Sequence, residues 1–150
     1  MREIKYIVLH CTATHQSATI EAIQNYWREV LKWKNPGYHW LIKPNGVGIQ
    51  LHPIAIPSNG VAGFNKHSIH ISYIGGIDKF GNAVDNRTNA QKQTMMDLII
   101  RLRKQFPFAE IRGHRDFPGV SKDCPSFDVK EWCVCVGIDA VPSSVKDTNS

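Results

Sequence analysis

The sequence predicts a single α/β domain built on a mixed β-sheet. Two observations lead to this fold class: strand-like apolar segments alternate with helical segments along the chain, and two strand segments are joined as a hairpin. With 150 residues, of which 42% are hydrophobic and 21% charged, the chain can bury one substantial core without disulfides. Neither an internal repeat nor a low-complexity block interrupts it.

Five segments are expected to be strands because they are rich in apolar and β-branched residues and end at turn residues: residues 4–11, 38–43, 47–52, 68–74 and 110–113. The turn Pro44-Asn45-Gly46 joins the second to the third, as in a β-hairpin. The first strand ends in His10 and Cys11, and because neighbours in a strand face opposite sides, we expect only one of them to reach any one site. The segment 53–67 is expected to be a loop that forms a cleft wall.

Three helices are expected: residues 20 to about 31, 89 to about 106, and a short last helix through 132. Thr19 is a suitable N-cap for the first, in which Trp27 should be a core residue. Thr88, with Gln91 three residues later, has the pattern of a capping box, and the helix that follows should be the longest. Asp128, or alternatively Ser126, can cap the last helix.

The ordered domain is expected to span residues 1–136, with 137–150 as a flexible tail bearing Ser, Asp and Pro. No apolar run approaches the roughly 20 residues of a membrane span, and the N-terminus has no signal-peptide pattern, so we expect synthesis in the cytoplasm. The net charge of +5 and the pI near 9.1 suit an anionic partner such as nucleic acid or cell wall, although the basic residues form no dense run.

The chemically richest segment runs from Gly113 to Phe127 and contains His114, Lys122 and Cys124. His114 and the earlier His10 both follow an expected strand at its C-terminal end, the edge at which open α/β sheets place ligands. Two imidazoles and a thiolate suit Zn²⁺, and three protein ligands leave the fourth position open, as in catalytic sites. Zinc lowers the pKa of a bound water towards about 7. Lys122 would then stabilise the oxyanion of a tetrahedral intermediate.

Spacing alone leaves other ligand sets open. His10 lies over a hundred residues before the other two candidates, and no short metal signature such as H-E-x-x-H is present. The competing histidines are His15, His39, His52, His67 and His70. Ser-His-Asp catalysis ranks lower because no G-x-S-x-G elbow is present. The remaining cysteines are expected to be buried or free thiols: Cys11, Cys133 and Cys135.

Several motifs, in this order, resemble one family: His10-Cys11-Thr12-Ala13-Thr14, Pro36-Gly37-Tyr38-His39, Gly63-Phe64-Asn65 with Ser68-Ile69, Ile74-Gly75-Gly76, and Gly113-His114-Arg115-Asp116 running to Lys122-Asp123-Cys124-Pro125-Ser126-Phe127. They are similar to those of the zinc-dependent N-acetylmuramoyl-L-alanine amidases. The resemblance is greater to the amidase-type phage lysozymes, relatives of the peptidoglycan recognition proteins. It covers about residues 4–133.

The resemblance implies a central mixed sheet flanked by helices, with a cleft open to cell-wall muropeptide. It implies hydrolysis of the amide between the lactyl group of N-acetylmuramic acid and L-alanine, with peptidoglycan as the partner. Residues 1–136 would be the catalytic domain, holding one catalytic zinc ion on His10, His114 and Cys124.

The same resemblance implies roles for two further groups of residues. Tyr38 matches the family's catalytic tyrosine, which would hydrogen-bond the zinc water or the incoming carbonyl, and Lys122 matches its catalytic lysine. Gly63, Phe64 and Asn65 match the region that binds the stem peptide. Because the ordinary pKa of a tyrosine is near 10, we do not expect Tyr38 to be a strong base.

Three functional settings are compatible with the resemblance. The first is a phage or prophage endolysin, which would reach the cell wall through host lysis or a holin. The second is a cytoplasmic amidase that recycles anhydro-muropeptides, and the third is a peptidoglycan-binding module that does not cleave. Cys124 argues against the third, because non-catalytic relatives typically lack this ligand. By resemblance alone RNA polymerase would be a further partner, and we expect a monomer.

His70 departs from the family pattern, because relatives usually carry Gly at this place. The sequence therefore predicts either different packing of the sheet at this strand or an extra polar group that faces the cleft.

Overall fold

The computed structural model describes residues 2–142, which form a five-stranded mixed sheet with helices against it. The strands are β1 (Tyr6–Cys11), β2 (Trp40–Ile42), β3 (Gly48–Gln50), β4 (Ser68–Tyr73) and β5 (Glu110–Gly113). Their order in the sheet is β3-β2-β4-β1-β5. β1 pairs in parallel with β4 and β5, β2 pairs in parallel with β4, and only the β2–β3 hairpin is antiparallel. The predicted mixed α/β fold is confirmed.

The first helix, α1 (Ile20–Asn25), begins as predicted, with the Thr19 side chain accepting the Ala22 N–H at 3.1 Å. After Asn25 the chain continues as a π-helical turn, Tyr26–Val30. Trp27 is 7% exposed and belongs to the core, but Val30 is 63% exposed. The wider i→i+5 turn changes the side-chain spacing, so the apolar face predicted for a regular α-helix ends before Val30.

The longest described helix, α2 (Asn89–Gln105), begins with the predicted capping box. Thr88 Oγ1 accepts the Gln91 N–H, and Gln91 Oε1 accepts the Thr88 N–H, both at 3.0 Å. The last helix, α3 (Val129–Cys135), is capped by Asp128 and extends three residues past the predicted end at Trp132. None of the helices in the described part combines the length and the apolar character needed to cross a bilayer.

The two faces of the sheet differ. One face packs against α2 and α3 in a large apolar cluster that includes Ile7, Leu9, Ile69, Ile71, Tyr73, Met95 and Ile99. The other face carries two smaller clusters, one around Trp27 and Leu41 and the other around Val8 and Phe117. β4 runs between the strands that carry Leu41 and Val8, and on this face it presents only polar side chains: Ser68, His70 and Ser72.

Ordered structure continues past residue 136, the boundary expected from sequence. The Ile111 N–H donates to the Ala140 carbonyl oxygen at 2.9 Å, and Ile138 packs against the large core cluster. Residues 137–142 are therefore held against β5, because this segment supplies a hydrogen-bond acceptor and an apolar side chain to the domain. The rest of the expected tail, 143–150, lies outside the described residues.

Candidate metal centre

Three side chains from distant parts of the chain converge at one edge of the sheet. His10 lies near the end of β1, His114 directly follows β5, and Cys124 lies in the loop beyond. β1 and β5 are parallel, with Leu9 opposite Gly113. The next residue on each strand, His10 and His114, therefore lies at the same edge of the sheet. The candidate ligand atoms all lie within 4.8 Å of one another. His10 Nδ1 is 3.8 Å from Cys124 Sγ, and the His10 and His114 ring centroids are 4.9 Å apart.

Backbone hydrogen bonds hold Cys124 at this edge. The Cys11 N–H donates to Cys124 Sγ at 3.3 Å, and the Arg115 N–H donates to the Cys124 carbonyl oxygen at 3.0 Å. The Asp116 carboxylate accepts the Gly113 N–H at 2.8 Å, which fixes the turn that carries His114. Arg115 and Asp116, to which the sequence assigned no role, therefore shape the loop around the three candidate ligands.

Cys11 is not among the candidate ligands, in agreement with the expectation that only one of His10 and Cys11 reaches a given site. Its side chain leaves β1 on the face opposite His10 and packs beside Gly76, with Sγ 3.7 Å from Ser126 Oγ. Cys124 contacts the backbone of Cys11, since its thiol accepts the Cys11 N–H at 3.3 Å and lies 3.7 Å from the Cys11 carbonyl oxygen. The neighbouring Cys124 thiol lowers the pKa of Cys11 to about 7, and the Cys11 thiol, followed by burial, raises the pKa of Cys124 above its usual range.

The two imidazoles are in the form that binds metals. Burial and neighbouring basic groups hold the pKa of His10 well below its ordinary 6.5. Burial, followed by the charge of Lys122, lowers the pKa of His114 to about 4. Both rings are therefore neutral at physiological pH, and a neutral imidazole has a nitrogen lone pair to give to a metal. Lys122 is exposed and lines the same cleft as His114.

Tyr38 lies beside the three candidate ligands. Its hydroxyl donates to the Cys11 carbonyl oxygen at 3.2 Å, and its ring centroid is 5.0 Å from that of His10. Burial raises the pKa of Tyr38 well above its ordinary value of 10. The phenol is therefore neutral and can act as a hydrogen-bond donor, in agreement with the expectation that it is not a strong base.

A cleft of about 560 Å³ opens beside His114 and Lys122 and is walled by the predicted loop. Of the three residues expected to bind substrate, Asn65 lines this cleft. Phe64 instead packs against Tyr6 and Phe117, with ring centroids at 6.3 and 4.7 Å. Gly63 is exposed, at φ +86°, but does not line the cleft.

Several residues around the site have no role predicted from the sequence. Trp33, Asn59 and Ser121 line the cleft, and no sequence motif singled them out. His70 is fully buried, and its ring centroid lies 4.9 Å from that of His10. The available signal was the alternation of Ser, His and Ser in β4, which indicates a polar face on a buried strand.

Comparisons with known proteins agree with this geometry. Residues 1–127 match the family described as N-acetylmuramoyl-L-alanine amidase. The chain belongs to this family. The amidase is 32% identical over 132 residues to the endolysin of Klebsiella phage KP32, covering 87% of this chain and 86% of that protein. It is 34% identical over 128 residues to the endolysin of Escherichia phage T7, covering 84% of this chain and 83% of that protein.

Solved structures share the fold of the amidase. The Ph2119 endolysin from the Thermus scotoductus MAT2119 bacteriophage Ph2119 superposes with a TM-score of 0.74 at 26% identity, covering 91% of this chain and 85% of that one. Peptidoglycan recognition protein SA of Apis mellifera has the same TM-score at 21% identity, covering 89% of this chain and 83% of that one. At this identity the similarity is evidence for a shared fold only. The family and the fold predicted from the sequence are confirmed.

Proposed function

We propose that this peptidoglycan amidase is a zinc enzyme that cleaves the amide between the lactyl group of N-acetylmuramic acid and L-alanine, and that it acts as a phage or prophage endolysin. The observation that carries the zinc proposal is the convergence of His10, His114 and Cys124 in a member of the amidase family. The endolysin role is supported by relatives of that name that align over most of both chains.

The donor set fits zinc. One thiol and two neutral imidazoles match its preference for nitrogen and sulfur ligands, and three protein ligands leave one position free for water or substrate. His10 uses Nε2 in a hydrogen bond with His70, so its Nδ1 faces Cys124. When bound, zinc supplies Lewis acidity, which polarises a carbonyl oxygen and lowers the pKa of water.

The chain's own residues supply the remaining electrostatics. Lys122 presents an ammonium group to the cleft, and we propose that it stabilises the negative charge that develops on the carbonyl oxygen of the scissile amide. Tyr38 is held beside His10, and its raised pKa keeps the proton on the phenol; we propose that its O–H turns from the Cys11 carbonyl oxygen to donate to substrate.

The decisive experiment treats purified peptidoglycan with the zinc-loaded protein and identifies the products by mass spectrometry. We expect stem peptides with a free L-alanine amino group and uncut glycan strands. Cys124→Ser should abolish this release, as should thorough chelation, and added zinc should restore the chelated wild type. Cys135→Ser is the matched control, because this thiol is exposed and away from the site, and it should keep full activity.

Full activity of Cys124→Ser, or of the chelated protein, would disprove the zinc mechanism. The endolysin role is tested separately by comparing rates on intact sacculi and on soluble anhydro-muropeptides. Activity confined to the soluble fragments would contradict that role and favour a recycling amidase. Binding to sacculi without any cleavage would contradict both.

A further inference from the structure

We propose that His70 and Asn65 are positioning residues that fix the tautomer of His10 and thereby select Nδ1 as the nitrogen that faces the metal. The inference rests on the zinc proposal and adds to it, because neither residue is in the set of candidate ligands. It also gives a role to His70, which departs from the family pattern.

The side-chain oxygen of Asn65 can be assigned without ambiguity. The backbone N–H groups of Gly60 and Val61 both point at Asn65 Oδ1, at 3.1 and 2.8 Å. A backbone N–H can only donate, so the amide atom that receives both bonds must be the oxygen. Asn65 therefore presents an acceptor to any third partner of the same atom.

That third partner is His70. Its Nε2 lies 2.8 Å from Asn65 Oδ1, so Nε2 must carry the proton, and Nδ1 of the neutral ring is left as an acceptor. His70 Nδ1 in turn lies 2.8 Å from His10 Nε2. His10 must therefore be the donor in this bond and carry its proton on Nε2.

One nitrogen of His10 then remains with a lone pair, and it is Nδ1, the atom 3.8 Å from Cys124 Sγ. The opposite tautomer of His10 would place two lone pairs 2.8 Å apart, because Nδ1 of His70 also accepts. His10 is 1% exposed and His70 is 0% exposed, so water cannot relieve that repulsion. The hydrogen-bond relay from Asn65 through His70 to His10 thus permits one arrangement of protons. That arrangement leaves Nδ1 of His10 with a free lone pair.

The packing around His70 prevents its ring from leaving this arrangement. A Cβ atom on Gly60 would lie 2.2 Å from His70 Nδ1, so the cleft loop rests directly on the ring. The His70 backbone N–H donates to His39 Nδ1 at 3.0 Å, and His39 Nε2 donates to the Ile56 carbonyl oxygen at 2.8 Å. Contacts with the cleft loop and with His39 therefore keep His70 in place between Asn65 and His10.

The first test uses the metal-free wild-type full chain and needs no substitution. Long-range ¹H–¹⁵N correlation spectra distinguish the two neutral tautomers of a histidine. We expect His10 and His70 both to be protonated on Nε2. A proton on Nδ1 of His10 would overturn the inference.

The second test compares His70→Asn with His70→Leu, two side chains of similar size. The amide oxygen of Asn can replace Nδ1 as the acceptor for His10, whereas Leu has no polar atom. We expect His70→Leu to weaken zinc binding by about 10–100-fold in a chelator competition, the range for loss of a partner behind a metal ligand, and His70→Asn to recover most of that loss. Equal zinc affinity in wild type and both variants would overturn the inference, and so would equal loss in both variants, which would indicate packing alone.

The two proposals fail in distinguishable ways. If the wild type binds no zinc in this competition, the proposed function fails, whereas the tautomer spectra still test the relay. If the wild type binds zinc and the spectra or the pair of variants behave otherwise than expected, only the role of His70 and Asn65 fails. Circular dichroism of each variant confirms that the folded protein is being compared.

Discussion

The two faces of β4 are equally buried and differ in what holds them. Ile69, Ile71 and Tyr73 face the large core, and Ser68, His70 and Ser72 lie on the face from which His10 also projects, yet all six are 0% exposed. The first three pack in the apolar cluster with α2, and among them only the Tyr73 hydroxyl makes a hydrogen bond, to the Pro125 carbonyl oxygen at 2.7 Å. The polar three are held by directed bonds, such as Ser68 Oγ to the Phe64 carbonyl oxygen at 2.7 Å and His70 to Asn65.

The difference separates two tasks within a single strand. Apolar contacts are non-directional and proportional to buried area, so one face can supply stability without fixing any particular atom. Hydrogen bonds are directional, so the other face can fix the orientation and the protonation of individual rings. We therefore expect substitutions on the core side to change stability and substitutions on the site side to change the chemistry.

The largest effect should come from the core side. Ile99 of α2 is 0% exposed, and Ile99→Ala should lower the free energy of unfolding by about 2–5 kcal/mol, since it removes buried methyl groups and leaves a cavity. Urea unfolding measures this, and activity per folded molecule should not change. Ile100→Ala is the matched control, because Ile100 is 43% exposed and should lose less than about 0.5 kcal/mol. Similar losses in both variants would contradict the division between the faces.

Substitution of Lys122 in the cleft should change activity and not stability. Lys122→Met removes the charge proposed to stabilise the oxyanion and should lower kcat by about 10²–10³-fold, the usual effect of losing one such group. The unfolding midpoint should stay unchanged because Lys122 is exposed. Lys130→Met, an exposed lysine on α3, should leave kcat intact. Unchanged turnover in Lys122→Met would remove the lysine from the mechanism.

Substitution of Gly60 tests whether close packing holds the His70 ring in place. The new methyl group in Gly60→Ala would meet the His70 ring, so the variant should be destabilised by about 1–3 kcal/mol, as expected for overpacking. Adding His70→Gly removes the clashing ring, and the double mutant should recover stability relative to the sum of the single changes. Thermal unfolding of all four proteins gives the coupling energy, and an additive result would show that the ring is not what excludes a side chain at position 60.

The smallest predicted effect is a loss of folding stability at acidic pH. Burial lowers the pKa of His39 from 6.5 to about 4, so between these values the unfolded chain binds a proton that the folded chain does not. Stability present above pH 6.5 is therefore lost as the pH falls through this window. From pH 7 to pH 5.5 the metal-free wild type should lose about 1 kcal/mol more than His39→Gln, in which this titration is absent. Equal losses in urea titrations at the two pH values would show that His39 does not titrate in this way.

Much of the fold was predictable because its signals are local. The Thr88–Gln91 capping box, the hairpin turn and the apolar strands each depend on a few neighbouring residues. The meeting of His10 and His114 was also predictable, since parallel strands end at a common edge. The assignment of zinc ligands and of Tyr38 and Lys122 required the family resemblance as well, and their roles stay predictions.

The rest depends on contacts that no local pattern contains. The contacts of the Cys124 thiol with the Cys11 backbone and with the His10 ring follow from the path of a loop that begins after His114. The hydrogen bond between His10 and His70 depends on the register of β1 against β4, in which Val8 is opposite His70 and His10 opposite Ser72. The two rings meet as diagonal neighbours, a contact that exists only once this register is set.

The separation of the candidate ligands along the chain connects metal binding to the folding equilibrium. His10 and Cys124 are 114 positions apart, so their ligand atoms meet only when the sheet and the loop after β5 are both in place. An ion held there would bind the native state and not the unfolded chain. Such an ion adds about 4 kcal/mol of stability when its free concentration is a thousand times its Kd. Zinc would therefore raise the melting temperature of the enzyme, and a chelator would lower it, even where no substrate is present.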